Sequence, residues 1–547
     1  MGIPSYFSYI IKNYPEIIQK FSNNNLNVDN LYLDCNSIIY DLYYKIISDD
    51  LSTEATNILI INLIKNVCSK IEYYIHLIKP SKRLLIAFDG VAPLAKLEQQ
   101  RSRRYKSAYQ NEISKSIYNN IKPDPWNTAS ITPGTKFMED LSIYIKNYFN
   151  DASKYNLETI INSTSDIYGE GEHKIFEYIR YNSIEHKNEI TVIYGLDADL
   201  IMLSINHLTI CKQIYLFRES PHFVQSINKD IDPNENYLLN IPELSKSILL
   251  YMNNDDENII NECIKNNTIN NKIHDYIFLS FFLGNDFLPH FPALNIRTGG
   301  MDKLLNAYKE SIGKTNSCLF DGQKINWNNV RKLIQLLASM EESFLIDEYK
   351  LRNKKENFYY DTKTPEQIFK KFESLPTYER EMEKYINPFK ENWQYRYYNC
   401  LFEIKSDSKN LRKKEICLNY LEGLEWTMKY YTSGCVNWRW NYKFHYPPLL
   451  NDLLNYIPIF YTNLVNIENP SPVSSLVQLC YVLPFTSLNL LPNNLSKKLL
   501  EFHPEWYKND CEFIWSFCRY FWESHVKMNP INIKELEEIV AKYNNKI

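Results

Sequence analysis

Seven carboxylates stand at or just beyond short apolar runs: Asp34 in LYLDCN, Asp89 in LLIAFDG, Glu170 and Glu172 in YGEGEH, Asp197 and Asp199 in VIYGLDADL, and Asp286 in FLGNDFLPH. Each run reads as a strand or helix that stops at its acids, which gives all of them a route into one pocket. Carboxylates brought together raise one another's pKa and cannot all stay ionised without cations, so the set reads as a cage for hard divalent ions. Mg²⁺ or Mn²⁺ suits an all-oxygen cage. Two such ions about 3.5–4 Å apart serve phosphate-ester hydrolysis, one activating water and the other stabilising the leaving oxygen. A lone Asp at a strand end is ordinarily a helix cap or a turn former. Five such segments in one chain are explained together only by a shared site. His173 and His290 lie beside these acids and read as buried or supporting side chains, outside the metal shell.

A basic helical face begins a few residues after Asp89. In LAKLEQQRSRRYKSAYQNEISKSI, Lys96, Gln100, Arg103 and Arg104 fall at i, i+4, i+7 and i+8, on one side of a helix. A phosphate held there would sit at a set distance from the acids. The ordinary alternative is a solvated helix face. WRWNYKFHYPP, with Trp438 and Trp440, has the mixture of aromatic and basic residues found on base-stacking platforms, although taken alone it reads as core packing.

The elements that must position these residues are α/β first and mostly helical afterwards. Leu31 to Leu33, Leu84 to Phe88 and Ile190 to Tyr194 are too short for core helices and read as buried parallel strands. Helical patterns lie between them, as at Thr56 to Ile78 and Glu139 to Tyr148. Such alternation implies a doubly wound sheet with its ligand beyond the carboxyl ends of the strands. The Asn- and Asp-rich stretch from Asn253 to Lys272 reads as a surface loop. The charged span from Arg352 to Lys413 suggests a boundary near residue 350, dividing the chain into 1–350 and a helical 351–547.

Composition bounds the answer without choosing it. A chain of 547 residues, 44% hydrophobic and 14% aromatic, is a folded protein of two domains or of one large domain with an elaborate second region. A net charge of −4 gives no global basic field, so a polyanion must meet a local patch. Eleven cysteines without a CxxC pair argue against a disulfide framework or a zinc ribbon. The start MGIPSYF lacks the pattern of a secretory leader, and no apolar run is long enough to span a membrane. A soluble, intracellular protein is expected.

MGIPSYF, LDCNSIIY, FDGVAPLAKLEQQRSRRYKSA, ITPGTKFM, GEGEHKI, YGLDADLIML, FLGNDFLPH, LEGLEWTMKYY and WRWNYKFHYPP, in that order, closely resemble the XRN 5′-to-3′ exoribonucleases. The resemblance implies a PIN-like α/β nuclease domain with a mostly parallel central sheet, braced by a largely helical second conserved region that shapes the RNA entrance. It implies processive, Mg²⁺-dependent degradation of single-stranded RNA bearing a 5′ monophosphate, with release of nucleoside 5′-monophosphates. The family's catalytic and metal-binding acids correspond to Asp34, Asp89, Glu170, Glu172, Asp197, Asp199 and Asp286, and its 5′-phosphate pocket to Lys96, Gln100, Arg103 and Arg104. Tyr40, Trp438 and Trp440 are the candidates for base stacking. Three positions depart from the family pattern: Tyr40 for a stacking His, Leu94 for an Arg, and Tyr168 for a Pro. The chain ends soon after FWESHVKMNPINIKELEEIV, as a minimal nuclease core without long C-terminal extensions would. A monomer acting in cytoplasmic RNA decay is expected. A flap-type 5′ nuclease acting on DNA, or an RNA-binding scaffold without activity, would share part of this pattern.

Overall fold

The short apolar runs pair into a seven-stranded sheet. The computed structural model describes residues 2–21, 26–48, 56–119, 126–219, 231–232, 235–254, 269–313, 315, 317–375, 379–405, 410–466, 470–508 and 510–544. In chain order the strands are β1 (Ile18–Lys20), β2 (Asn30–Asp34), β3 (Arg83–Ala87), β4 (Thr159–Ser163), β5 (Ile190–Tyr194), β6 (Gln213–Glu219) and β7 (Asn236–Asn240). Their spatial order is β1-β7-β6-β5-β2-β3-β4. The pairs from β6 across to β4 are parallel, and β7 joins both β6 and β1 antiparallel. β2, β3 and β5 coincide with the three runs read as strands, because a strand buried on both faces has no polar position to interrupt it.

Side-chain alternation divides those strands between two cores. Leu31, Leu33, Leu84, Ile86, Val192 and Tyr194 enter the core built with the helices Asn36–Ser48, Thr56–Ile78 and Lys136–Tyr148. Tyr32, Leu85, Ala87 and Ile193 enter the opposite one. That second core also takes Trp426, Met428 and Tyr430 from the helix Leu411–Thr432, and Tyr446, Leu449 and Leu450 beyond it. The later part of the chain is therefore packed into the core on one face of the sheet.

No break occurs at residue 350, where the helix Trp327–Glu356 runs through without interruption. The charged span after it contains the helices Pro365–Glu373, Glu381–Ile386 and Trp393–Phe402. Three of its charges turn inward: Arg352, Arg380 and Glu383 are each at most 3% exposed, and both arginines bond the Glu383 carboxylate. Much of the Asn-rich stretch, residues 255–268, lies outside the described residues, while Ile269 begins a buried helix that ends at Ser280. Among the described residues no helix is long and apolar enough to cross a membrane.

The two ends of the parallel strands treat charge differently. At the amino ends, Glu189 accepts from Asn30 at 3.0 Å, Lys82 at 3.0 Å and Arg83 at 2.6 Å. These partners outweigh burial and hold its carboxyl below the usual range. At the carboxyl ends, β2 lies between β3 and β5, so strand order reverses at Asp34, where an α/β sheet opens a crevice.

The helix Trp327–Glu356 carries a buried acid that reports on folding. Glu341, 5% exposed, accepts the Leu450 N–H on both oxygens, at 2.9 and 3.0 Å, and burial pushes its carboxyl up to about 8 from 4.5. A carboxyl raised in the folded state contributes fully below its unfolded pKa, and that contribution is lost as pH rises through the folded value. Glu341→Gln keeps an acceptor for Leu450. Its thermal midpoint is expected to match the wild type near pH 4.5 and to exceed it near pH 8.5, by roughly 2–4 kcal/mol of stability.

Candidate metal centre

Asp34 closes β2 at the reversal of strand order, and its Oδ1 is buried without a hydrogen-bond partner. Asp89 follows β3 and is held from two sides. Its Oδ2 accepts from Asn36 Nδ2 at 2.5 Å while its own N–H donates to Asn36 Oδ1 at 3.1 Å. Its Oδ1 accepts the Gly171 N–H at 2.8 Å, so the first free N–H of the helix Gly171–Tyr181 meets an acid. Gly171 is required there: a Cβ would lie 2.4 Å from Asp34 Oδ1 and 3.6 Å from Asp89 Oδ1. Glu170, just before that helix, is 2% exposed and Glu172 is 4% exposed.

Single oxygens of Asp34, Asp89 and Glu172 lie within 4.8 Å of one another, and so do ligand atoms of Glu170, Glu172 and His173. Glu172 joins the two groups. Asp197 follows β5, and Asp199 opens the helix Asp199–Asn206. Gly2 lies so close to Asp199 that a Cβ on it would stand 2.0 Å from Asp199 Oδ1. Asp286 comes from the loop after the helix Ile269–Ser280.

The electrostatics join these segments into one site. Burial pushes Asp34 well above its ordinary value, followed by the charges of Asp89, Asp197 and Glu170. Burial also lifts Glu172, followed by Glu170 and Asp34. Asp199 is pushed up to about 7 by burial and then by Asp286. Glu170 is raised by burial against the pull of Lys96. Carboxyls that raise one another in this way form a cluster short of positive charge. The unpartnered oxygens of Asp34 and Asp199, and a donor set made of hard oxygens, fit a divalent cation.

The basic helix Leu94–Ile117 forms the wall beside these acids. Lys96, 7% exposed, reaches Glu170 Oε1 at 2.5 Å and Asp286 Oδ2 at 2.5 Å. Although burial opposes its charge, Asp286 and Glu170 hold Lys96 well above its ordinary value. Against burial, Lys96 in turn keeps Asp286 below the usual carboxylate range. Gln100 is 8% exposed with Oε1 unpartnered. Arg104 donates through Nη2 to Thr132 Oγ1 at 2.5 Å, while its Nη1 is buried and unpartnered. Arg103 is part-exposed and contributes to the field at Asp286.

The aromatic candidates separate. Tyr40 is part-exposed and lies close enough to influence the Arg104 charge. Trp438 is part-exposed and stands edge-on to Tyr168, with ring centroids 5.4 Å apart. Trp440 is 8% exposed and stacks on Trp426 at 5.0 Å, inside the core. His290 lies outside the acid cluster, under the influence of Glu523, Arg297 and Arg352.

Sequence reasoning missed Asn36, Gln99, Lys174 and Tyr430. Gln99 Nε2 donates to Asp286 Oδ1 at 3.3 Å, and Lys174 Nζ braces Phe88 O at 2.7 Å and Thr164 O at 2.9 Å. Tyr430 OH donates to Glu170 Oε2 at 2.7 Å. Asn36 and Lys174 do lie within the motifs LDCNSIIY and GEGEHKI, so their place beside the acids was the available signal. Tyr430 lies in LEGLEWTMKYY in the same way, although its partner stands 260 residues away.

Comparison with known proteins finds matches along most of the chain. The family pattern described as "XRN 5'-3' exonuclease N-terminus" matches residues 1–220, and "Xrn1 helical domain" matches 266–384 and 361–547. The 5'-3' exoribonuclease 1 of Saccharomyces cerevisiae is 27% identical over 90% of this chain and 40% of its own length. The 5'-3' exoribonuclease 2 of Arabidopsis thaliana is 26% identical over 99% and 67%. The 5'-3' exoribonuclease 1 of Homo sapiens is 27% identical over 100% and 34%. The chain thus spans well under half the length of the two type 1 relatives and about two thirds of the type 2 relative.

Two opposite responses are expected from neutralising the cluster. Without divalent ion, Asp34→Asn removes a repulsive buried charge and should raise the thermal midpoint by about 1–3 °C. With millimolar Mn²⁺ the wild type should gain stability through binding, whereas Asp34→Asn combined with Glu172→Gln should gain little. A Mn²⁺ shift that survives both substitutions would put the ion at a different set of residues.

Proposed function

This chain belongs to the XRN 5'-3' exonuclease family, and on that premise we propose that it is a processive, metal-dependent 5′-to-3′ exoribonuclease. Its substrate is single-stranded RNA with a 5′ monophosphate, and its products are nucleoside 5′-monophosphates. The observation that carries this reading is the adjacency of two sites on one helix. The acid cluster ends at Lys96, and the unpartnered polar atoms of Gln100 and Arg104 begin one turn further on.

Asp34, Asp89, Glu170, Glu172, Asp197, Asp199 and Asp286 would hold two Mg²⁺ or Mn²⁺ ions. When bound, such ions activate water and neutralise charge at the phosphodiester. Gln100, Arg103 and Arg104 receive the terminal phosphate, with Lys96 between that phosphate and the acids, so the first phosphodiester is set over the cluster. Lys174 and Asn36 keep the Asp89 segment in place. Tyr40 offers a ring to the first base, and Trp438 offers a second platform. Each cut leaves a new 5′ monophosphate, the group this pocket accepts, and processivity follows. A cap or a triphosphate adds bulk beyond the single phosphate that Gln100, Arg103 and Arg104 would receive. The protein acts as a monomer in cytoplasmic RNA decay, with the second region narrowing the entrance to single strands.

The test offers 5′-monophosphate, 5′-hydroxyl, 5′-triphosphate and capped RNA, with a branched DNA flap as control, in Mg²⁺ and in EDTA. Mononucleotide release confined to the monophosphate RNA, and abolished by EDTA, is expected. Equal cleavage of the flap, or activity that survives EDTA, overturns the proposal. Asp199→Ala should lower turnover by at least about a thousandfold, because charge stabilisation at the reacting phosphate is lost. Arg103→Ala should instead erase the preference among 5′ ends, at a cost of about tenfold in kcat/KM for the monophosphate substrate.

A further inference from the structure

Glu170 is held at both oxygens. Oε1 faces Lys96 at 2.5 Å, and Oε2 accepts the Tyr430 hydroxyl at 2.7 Å. Tyr430 comes from the helix Leu411–Thr432, within the matched helical domain rather than the segment that carries the acid. A phenol at neutral pH can donate to a carboxylate, so the bond fixes which oxygen of Glu170 is turned away from Lys96.

The ring of Tyr430 has little freedom to move. His173 packs against it with centroids 3.7 Å apart, and Trp426 stacks on it at 4.8 Å and 20°. Trp440 continues the column on Trp426 at 5.0 Å and 24°. Phe287, next to Asp286, meets Trp426 and Tyr430 edge-on at 5.0 and 5.3 Å. Gly423 makes room for this column, since a Cβ there would lie 2.9 Å from the Trp440 ring. Trp426 is anchored in turn by its Nε1–H, which donates to Asn437 O at 2.9 Å. One phenol thus touches the segments that bear Glu170 and Glu172 on one side and Asp286 on the other.

We propose that Tyr430 is the positioning residue for Glu170: clamped in the column His173–Tyr430–Trp426–Trp440, it sets the carboxylate's orientation, so the metal centre is completed by the second region. This deepens the proposed function and rests on it for the role of the ion. A hydrogen bond that aims a metal-binding carboxylate is worth about 10- to 100-fold in metal affinity or activity when removed.

Tyr430→Phe keeps the stacked ring and deletes only the hydroxyl. On the full chain, titration calorimetry with Mn²⁺ alone is expected to show about tenfold weaker binding than the wild type. Turnover of 5′-monophosphate RNA should fall by a similar factor, with KM changed less than about twofold, because the hydroxyl does not face the substrate. In a Glu170→Gln background the same substitution should alter Mn²⁺ affinity by less than about twofold, since its partner carboxylate is already gone. Wild-type Mn²⁺ affinity in Tyr430→Phe, or an undiminished effect in the Glu170→Gln background, overturns the assignment. The titration contains no RNA, so it judges Tyr430 independently of the substrate; a wild type that binds Mn²⁺ but leaves the RNA intact would overturn only the functional reading.

Discussion

Like charge in a place that water does not screen is the constraint from which the rest of this molecule follows. Seven carboxylates converge where β2, β3 and β5 end, and four of them are pushed above their ordinary values by burial and by one another. Interactions of that kind are several-fold stronger at the low effective dielectric of a buried site than in water. The fold pays for them with packing elsewhere: two cores on opposite faces of the sheet, and the second region built into one of them. The contrast with Glu189 is instructive, because that acid, at the other end of the same strands, is given Asn30, Lys82 and Arg83 and loses its capacity to bind anything else. At the carboxyl ends Lys96 compensates only Glu170 and Asp286 directly, which leaves an acid cluster that could hold a cation.

The basic helix Leu94–Ile117 couples this site to the distant part of the chain. Its cations serve different partners according to the face they occupy. Lys96 meets the acids, whereas Arg101 donates to Asn529 O and Trp506 O, and Lys106 to Trp522 O and Ser524 O. Leu94 N–H donates to Trp438 O at the start of the helix. The wall of the acid pocket is thus fastened on its outer side by carbonyls of the last 50 or so residues. A neutral carbonyl can fix a buried guanidinium without cancelling its charge, which keeps the helix basic.

Legibility in the sequence follows the range of the interaction. β2, β3 and β5, and the helix Thr56–Ile78, were readable because each is a local pattern of apolar residues with a polar stop. The convergence of the acids was readable because each stands at such a stop. The continuous helix Trp327–Glu356 was hidden by the charges around Arg352, which composition assigns to solvent and which Glu383 in fact neutralises inside. Trp440 was ambiguous for another reason. An aromatic side chain packed in a core and one offered to a base have the same local sequence, and only the stack on Trp426 separates them.

Lys96 shows why the acids and the basic helix work as one device rather than as two neighbouring sites. Its ammonium is shared between Glu170 and Asp286, 190 residues apart in the second pair, and is nearly inaccessible to solvent. A cation committed in this way adds little net attraction for a distant anion, because its field is largely cancelled by the two carboxylates. Among the described residues, the buried polar atoms of this helix without a partner are Gln99 Oε1, Gln100 Oε1 and Arg104 Nη1, and under the proposed function a terminal phosphate would be discriminated by groups such as these. Under the proposed function, divalent ions held by Glu170 and Asp286 would relieve that cancellation and leave the ammonium able to act on a bound phosphate. Under the proposed function, metal occupancy and phosphate recognition would be linked through that one side chain, and by reciprocity each would strengthen the other.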